Sequence, residues 1–161
     1  MAERPVVNAS PLIFLARAGL LDLLRLAGDE IVVPEAVADE IRRRGNTDIT
    51  AQALTHTAWL IVEKTLPTLP VIQAWDLGAG ESSVLTWAAI HQGAEAIVDD
   101  LAARRCAAAL GISVRGTLGL VLTAKTRGAI PAARPVLEQL RQAGMYLSDR
   151  IVAQALALVG E

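Results

Sequence analysis

Short β-branched runs alternate along this chain with longer stretches in which apolar residues recur every three or four positions. That alternation is the signature of a parallel sheet covered by helices. Pro5 to Val7 is the first strand expected. Ser10 and Pro11 then read as an N-cap and first helical residue, because Pro has no N–H to leave unpaired there. Leu12, Leu15, Ala16, Leu20, Leu23 and Leu24 supply one helical stripe to about Leu26, and Gly28 is the stop. Ile31 to Val33 is the second strand. Pro34 opens a helix that ends near Arg42-Arg43-Arg44 and Gly45.

Asp48 to Thr57 is expected to form a further short helix and Trp59 to Val62 an exposed strand, followed by a loop marked by Pro67 and Pro70. Gly80 to Gln92 is a helix, Ala96 to Val98 a strand, Ala102 to Leu110 a helix stopped by Gly111. Ile112 to Val114 is the last strand and Leu118 to Arg127 the helix after it. Pro131 and Ser148 each start a closing helix, the last burying Ile151, Val152, Ala155 and Leu156. The β-α-β-α order predicts the α/β class.

The 161 residues fit one domain, expected over 1–161. Hydrophobic residues make up 53% of the chain, but the longest uncharged stretch, from Asp48 to Glu63, carries Thr50, Gln52, Thr55, His56 and Thr57. It cannot serve as a span of ~20 apolar residues. Arg4, Pro5 and Asn8 interrupt any signal-peptide pattern, so a cytoplasmic location is expected. Cys106 is the single cysteine and excludes an intrachain disulfide. With 15 Lys+Arg against 17 Asp+Glu the net charge is -2, so any contact with nucleic acid must be local.

In open α/β sheets the ligand site lies beyond the C-terminal ends of the strands. Asn8, the Asp99-Asp100 pair and Thr117 are the polar residues expected there. Two acids arrive from helices. At ~100° per residue, Glu40 lies roughly 80° from the direction set by Val37 and Ile41, and Asp39 falls on the solvated side. Glu81 precedes Val84 by three and Leu85 by four, so it shares their face and that of Ala88. A carboxylate pointed inward needs a partner, a proton or a metal. Each has a plainer account: Glu81 as a first-turn acid answering the helix dipole, Glu40 as a solvated residue. One of Asp99 and Asp100 is expected to cap the following helix and the other to face the crevice. Asp100 is favoured for the crevice, with Asp99 the competing assignment.

His56 and His91 are lone histidines on helical stretches. Gly78-Ala79-Gly80 imitates the start of a dinucleotide loop, but Ser83 stands where the third Gly belongs and no Lys-Ser/Thr pair follows, so neither phosphate loop is present. Arg42, Arg43 and Arg44 suit RNA phosphates near Glu40, or equally the C-terminal end of a helix.

Taken in order, Val7-Asn8-Ala9-Ser10-Pro11-Leu12-Ile13, Val33-Pro34-Glu35 with Glu40, Leu77-Gly78-Ala79-Gly80-Glu81, Val98-Asp99-Asp100 with Arg104, and Gly116-Thr117-Leu118-Gly119 resemble the PIN-domain family. The likeness is to its compact bacterial branch related to VapC-type toxins. It implies a three-layer α/β/α domain with a central, mainly parallel sheet and a Mg²⁺ or Mn²⁺ site that hydrolyses RNA phosphodiester bonds. The family's acids then fall on Asn8, Glu40, Glu81 and Asp100 or Asp99. Ser10, Thr117 and Arg104 take supporting or phosphate-contacting roles. The resemblance further implies the toxin of a type II toxin–antitoxin pair, a homodimer silenced by a cognate antitoxin protein. The closing helix, with Ile151, Leu156 and Val159, is a plausible surface for either partner. Asn8 stands where the family has Asp and brings no charge to a metal. The alternative is therefore a PIN-like module that binds RNA or protein with weakened or lost catalysis.

Overall fold

Val6 and Val7 are wholly buried, and each neighbouring strand brings equally buried partners: Ile31, Val32 and Val33 on one side, Ala96, Ile97 and Val98 on the other. A strand apolar on both faces has to lie inside a parallel sheet with helices over it. The computed structural model, which describes residues 3–161, shows this. Met1 and Ala2, the start of the domain expected over 1–161, lie outside the described residues.

The strands are β1 (Val6–Val7), β2 (Ile31–Pro34), β3 (Leu60–Glu63), β4 (Ala96–Ile97) and β5 (Val114–Arg115). They pair in the order β3-β2-β1-β4-β5, all parallel, with Val6 opposite both Val32 and Ala96. The connections β1→β2→β3 step one way across the sheet and β4→β5 steps the other. Right-handed crossovers then put their helices on opposite faces, giving the three layers. The order reverses between β1 and β4, and the crevice beyond their C-terminal ends is where such sheets bind ligands.

Helix α1 spans Ala9–Arg17, not the longer segment to Leu26 that the leucine stripe suggests. Gly19 breaks it with φ of 73°, a conformation costly for residues with a Cβ, and the chain resumes as a 3₁₀ helix over Leu21–Leu26. Its N-cap position is Asn8 rather than Ser10, which lies exposed in the first turn. The next helices are α2 (Glu35–Arg42) and α3 (Ile49–His56). The Pro-rich stretch expected as loop contains α4 (Pro70–Gln73), whose Ile72 is buried.

Helix α5 (Ala79–Ile90) packs against β1, β2, β4 and α2 and is buried nearly all round, so it has no solvent stripe for periodicity to find. Then come α6 (Leu101–Ala109), α7 (Thr117–Thr126), α8 (Arg134–Gln142) and α9 (Asp149–Leu158). Helix α8 starts at Arg134, three residues later than Pro131, because its first turn is held by the Glu161 carboxylate: the amides of Ala133 and Arg134 donate to it at 2.6 and 3.3 Å. Those bonds, the Ala133 amide foremost, hold the Glu161 carboxyl below its ordinary value against a smaller opposing effect of burial. Ser148 caps α9 by accepting from the Ile151 amide, as expected. Val152, Ala155 and Leu156 are buried, whereas Ile151 is 42% exposed. Of the three residues suggested as a partner surface, Leu156 is taken up by the protein's own core.

Asp48 caps α3, accepting from the amides of Thr50 and Ala51 at 2.9 and 3.0 Å while Arg44 donates to its other oxygen at 3.0 Å. Burial pushes this carboxyl up, but the Ala51 amide, the Arg44 guanidinium and the Thr50 amide together outweigh it and leave the group below 3.8. A carboxyl lowered by folding stabilises the native state above its unfolded value and loses that contribution as pH falls through the folded one. Asn at this position keeps the cap and removes the titration. Denaturation of wild type and Asp48→Asn between pH 6 and pH 3 is therefore expected to show wild type losing the more stability below 3.8. Parallel curves would exclude Asp48 as a titrating contributor.

Candidate active site at the strand exits

Asn8 leaves the end of β1 with its amide donating to the Ile97 carbonyl at 3.0 Å, which fixes it against β4. The residue is only 3% exposed, its side chain makes no capping bond to α1, and its Oδ1 is buried with no hydrogen-bond partner among the described residues. An unpaired buried amide oxygen costs about 1–3 kcal/mol, so this atom is held in place by its surroundings and open to an incoming donor or cation.

What surrounds it is the first turn of α5. The point where a Cβ on Gly80 would stand lies 3.0 Å from Asn8 Oδ1 and 3.2 Å from Glu40 Oε2. Two oxygens from β1 and α2 therefore flank one spot on α5, and the missing side chain of Gly80 lets them approach. Glu40 is otherwise exposed, in keeping with a residue at the edge of its helix's buried face. Glu81 is half-buried and folds back over the turn, its Oε2 lying 2.6 Å from the Cβ position of Gly78. Glu40 and Glu81 line a common cleft of 260 Å³ with Gly78, Gly80 and Arg43.

The acidic pair divides its duties differently from the favoured assignment. Asp100 is the cap of α6, accepting the Ala103 amide at 2.9 Å. Asp99 is half-buried at the crevice and held by one residue: the Thr117 amide donates to Oδ1 and the Thr117 hydroxyl to Oδ2, each at 2.7 Å. Thr117 opens α7 and is wholly buried, and of its expected supporting or phosphate-contacting roles it takes the supporting one, fastening Asp99 across 18 residues of chain. Each Asp99 oxygen retains acceptor capacity beyond that one bond. Arg104 is exposed, and its Nη1 lies 2.5 Å from the Cβ position of Gly116, beside Asp99 Oδ1 at 3.0 Å from the same point. The missing side chain of Gly116 thus leaves a space bordered by both Arg104 and Asp99.

The arrangement brings Asn8, Glu40 and Glu81 around the start of α5 and sets Asp99 at the neighbouring strand exit, with Ser10 exposed on the α1 turn above. His56 and His91 stand apart, their Nδ1 atoms on the Gln52 and Trp87 carbonyls, and His91 stacks on the Trp87 ring at 3.9 Å. Among the described residues no three Asp, Glu, His or Cys side chains converge on one point as a metal cluster. Every donor at the strand exits is a hard oxygen, and the orphaned Asn8 Oδ1 beside Glu40 is a fit for a hard dication held with less charge than a full carboxylate set gives. Sequence reasoning missed Gly80 and Gly116 as points of close approach. Gly80 stands next to Glu81 and Gly116 next to Thr117, and a small residue beside a polar one was their only signal.

Thr117 can be tested apart from any chemistry. Thr117→Val keeps the shape and removes the hydroxyl donor to Asp99, which should cost about 1–2 kcal/mol in chemical denaturation. No loss of stability would mean that Asp99 is not fastened there.

No curated protein and no solved structure matches the chain. The family model described as PIN domain matches residues 4–161, which takes in the sheet, all its helices and the strand exits just described. PIN domains are generally nucleases, and the parallel five-stranded sheet with oxygen-bearing residues at its C-terminal edge agrees with that membership. The chain belongs to the PIN-domain family.

Proposed function

We propose that the protein is a Mg²⁺- or Mn²⁺-dependent endoribonuclease that hydrolyses phosphodiester bonds with Asn8, Glu40, Glu81 and Asp99 around its catalytic centre. The observation that carries this reading is the buried, unpartnered Asn8 Oδ1 facing Glu40 across Gly80. Asp99 takes the place first given to Asp100, because Asp100 is committed to the α6 cap. A divalent ion supplies charge neutralisation at the scissile phosphate and acidifies a water for attack. The chain's own residues do the positioning: Thr117 orients Asp99, Gly80 admits Asn8 and Glu40 to one point, and Arg104 stands ready for a phosphate beside Asp99. No covalent intermediate is implied, since among the described residues no serine, histidine or cysteine is paired with an activating base. Cys106 is buried, and burial pushes its thiol up, away from the thiolate.

The resemblance to VapC-type toxins extends the proposal to a type II toxin acting in the cytoplasm as a homodimer and silenced by a cognate antitoxin protein. Among the described residues no helix is long and apolar enough to cross a membrane. Ile151 and Leu158, the latter 78% exposed, are the apolar residues of α9 left for a partner.

A second reading has its own observation. Asn8 is neutral and brings no charge to a metal, so the same fold with weakened or lost catalysis would bind RNA or protein instead.

Metal-dependent cleavage of a mixed RNA pool separates the two. Wild type is expected to cut, and Glu81→Ala to fall by at least about a hundredfold; undiminished cutting by Glu81→Ala would exclude the site. If wild type is inert and Asn8→Asp cuts, the binding module is the right reading. Melting gives a check that needs no catalysis. Asn8→Asp buries a carboxylate near the exposed Glu40 and should lower stability in EDTA by about 1–3 kcal/mol. Mn²⁺ should recover that loss, and an equal melting point with and without metal would remove the ion from Asn8.

A further inference from the structure

Three consecutive arginines stand at the C-terminal end of α2, Arg42 in its last turn and Arg43 and Arg44 just beyond it, and the structure gives them three different situations. Arg42 donates to Glu35 at 2.7 Å and to Asp39 at 3.3 Å. Arg44 donates to the Asp48 cap at 3.0 Å. Arg43 alone of the three has no carboxylate within 4.0 Å among the described residues. Its Nε donates to the Asp39 carbonyl at 3.2 Å, and its terminal amino groups have no protein partner there. It also lines the cleft with Glu40 and Glu81. Glu40 lies three residues earlier, on the same side of the helix, yet the two are not paired.

An arginine fixed at its Nε and free at its outer edge, on the rim of an acidic cleft, presents a planar fork of donors of the kind that takes a phosphate bidentately. The need for one is electrostatic. With a net charge of -2 the chain offers no general attraction for a polyanion, and the cleft's own carboxylates repel it. A cation on the cleft wall answers that repulsion where the strand would enter. We propose that Arg43 binds a backbone phosphate of single-stranded RNA at the mouth of the Glu40–Glu81 cleft, an assignment that rests on the endoribonuclease reading. Arg42 and Arg44, engaged by their own carboxylates, do not share the role.

The test measures binding of a fluorescein-labelled, mixed-sequence single-stranded RNA by anisotropy, with Ca²⁺ as the ion, over a series of KCl concentrations. Wild type, Arg43→Gln and Arg42→Gln are compared, and each is melted. Arg43→Gln should weaken binding about tenfold. It should also reduce the slope of log affinity against log salt by about 0.7, the share of one phosphate on a single strand. Arg42→Gln should stay within about twofold of wild type, and Arg43→Lys should fall between wild type and Arg43→Gln. Wild-type affinity and slope in Arg43→Gln, or an equal loss in Arg42→Gln, overturns the assignment while leaving the nuclease reading standing. A lowered melting point with unchanged affinity also overturns it, because Arg43 would then be serving the C-terminal end of α2. Failure of wild type to bind RNA at all overturns the RNA reading, and this assignment with it.

Discussion

Strands β1 and β4 end side by side at the point where the order of the sheet reverses, and what emerges there from a core with no exposure at all is polar: Asn8 from one, Asp99 from the other. A parallel sheet buried on both faces has no other place to bring chain ends to solvent on this edge. The neighbouring structure is arranged around that demand. Thr117 crosses from the start of α7 to hold Asp99 with both its amide and its hydroxyl. Helix α5 presents a glycine, and not a side chain, to Asn8 and Glu40. Three helices separated in sequence are brought to one crevice by the register of two strands.

The same reasoning explains what the sequence made legible. β-Branched runs located β1, β2 and β4, because a strand apolar on both faces has few competing readings between Pro or Gly stops, whereas the run Ile112 to Val114 meets the half-buried β5 only at Val114 and the strand goes on to Arg115. Asp48 and Ser148 were visible as helix starts through their side-chain chemistry. The long helix expected to Leu26 failed because a leucine stripe at helical spacing persists through a 3₁₀ turn, and periodicity does not register the left-handed step at Gly19. The one-turn helix at Pro70–Gln73 is too short to show a period at all.

At the site, residues were legible and their partnerships were not. Asn8, Glu40, Glu81 and the acidic pair stood out as polar groups at strand exits or on apolar faces. Which of Asp99 and Asp100 capped α6 was decided by Thr117, 18 positions from Asp99, and no local pattern reports a contact of that range. Three adjacent arginines look alike in sequence because their differences lie in Glu35, Asp39 and Asp48, each reached only once α2 has turned.

Asn8 gains a physical meaning from its neighbours. A carboxylate at that atom position would itself be buried near the exposed Glu40, and desolvation together with the neighbouring like charge would raise its energy until a cation or a proton intervenes. The amide avoids that repulsion and leaves one unpaired oxygen instead, a smaller penalty by roughly 1–3 kcal/mol. The fold is thereby less dependent on a cation for its stability, and an ion bound as proposed would be held by fewer charges. On the proposed nuclease reading, the strength of metal binding and the stability of the metal-free fold would therefore be set against each other at a single side chain, with Gly80 keeping open the space between Asn8 and Glu40.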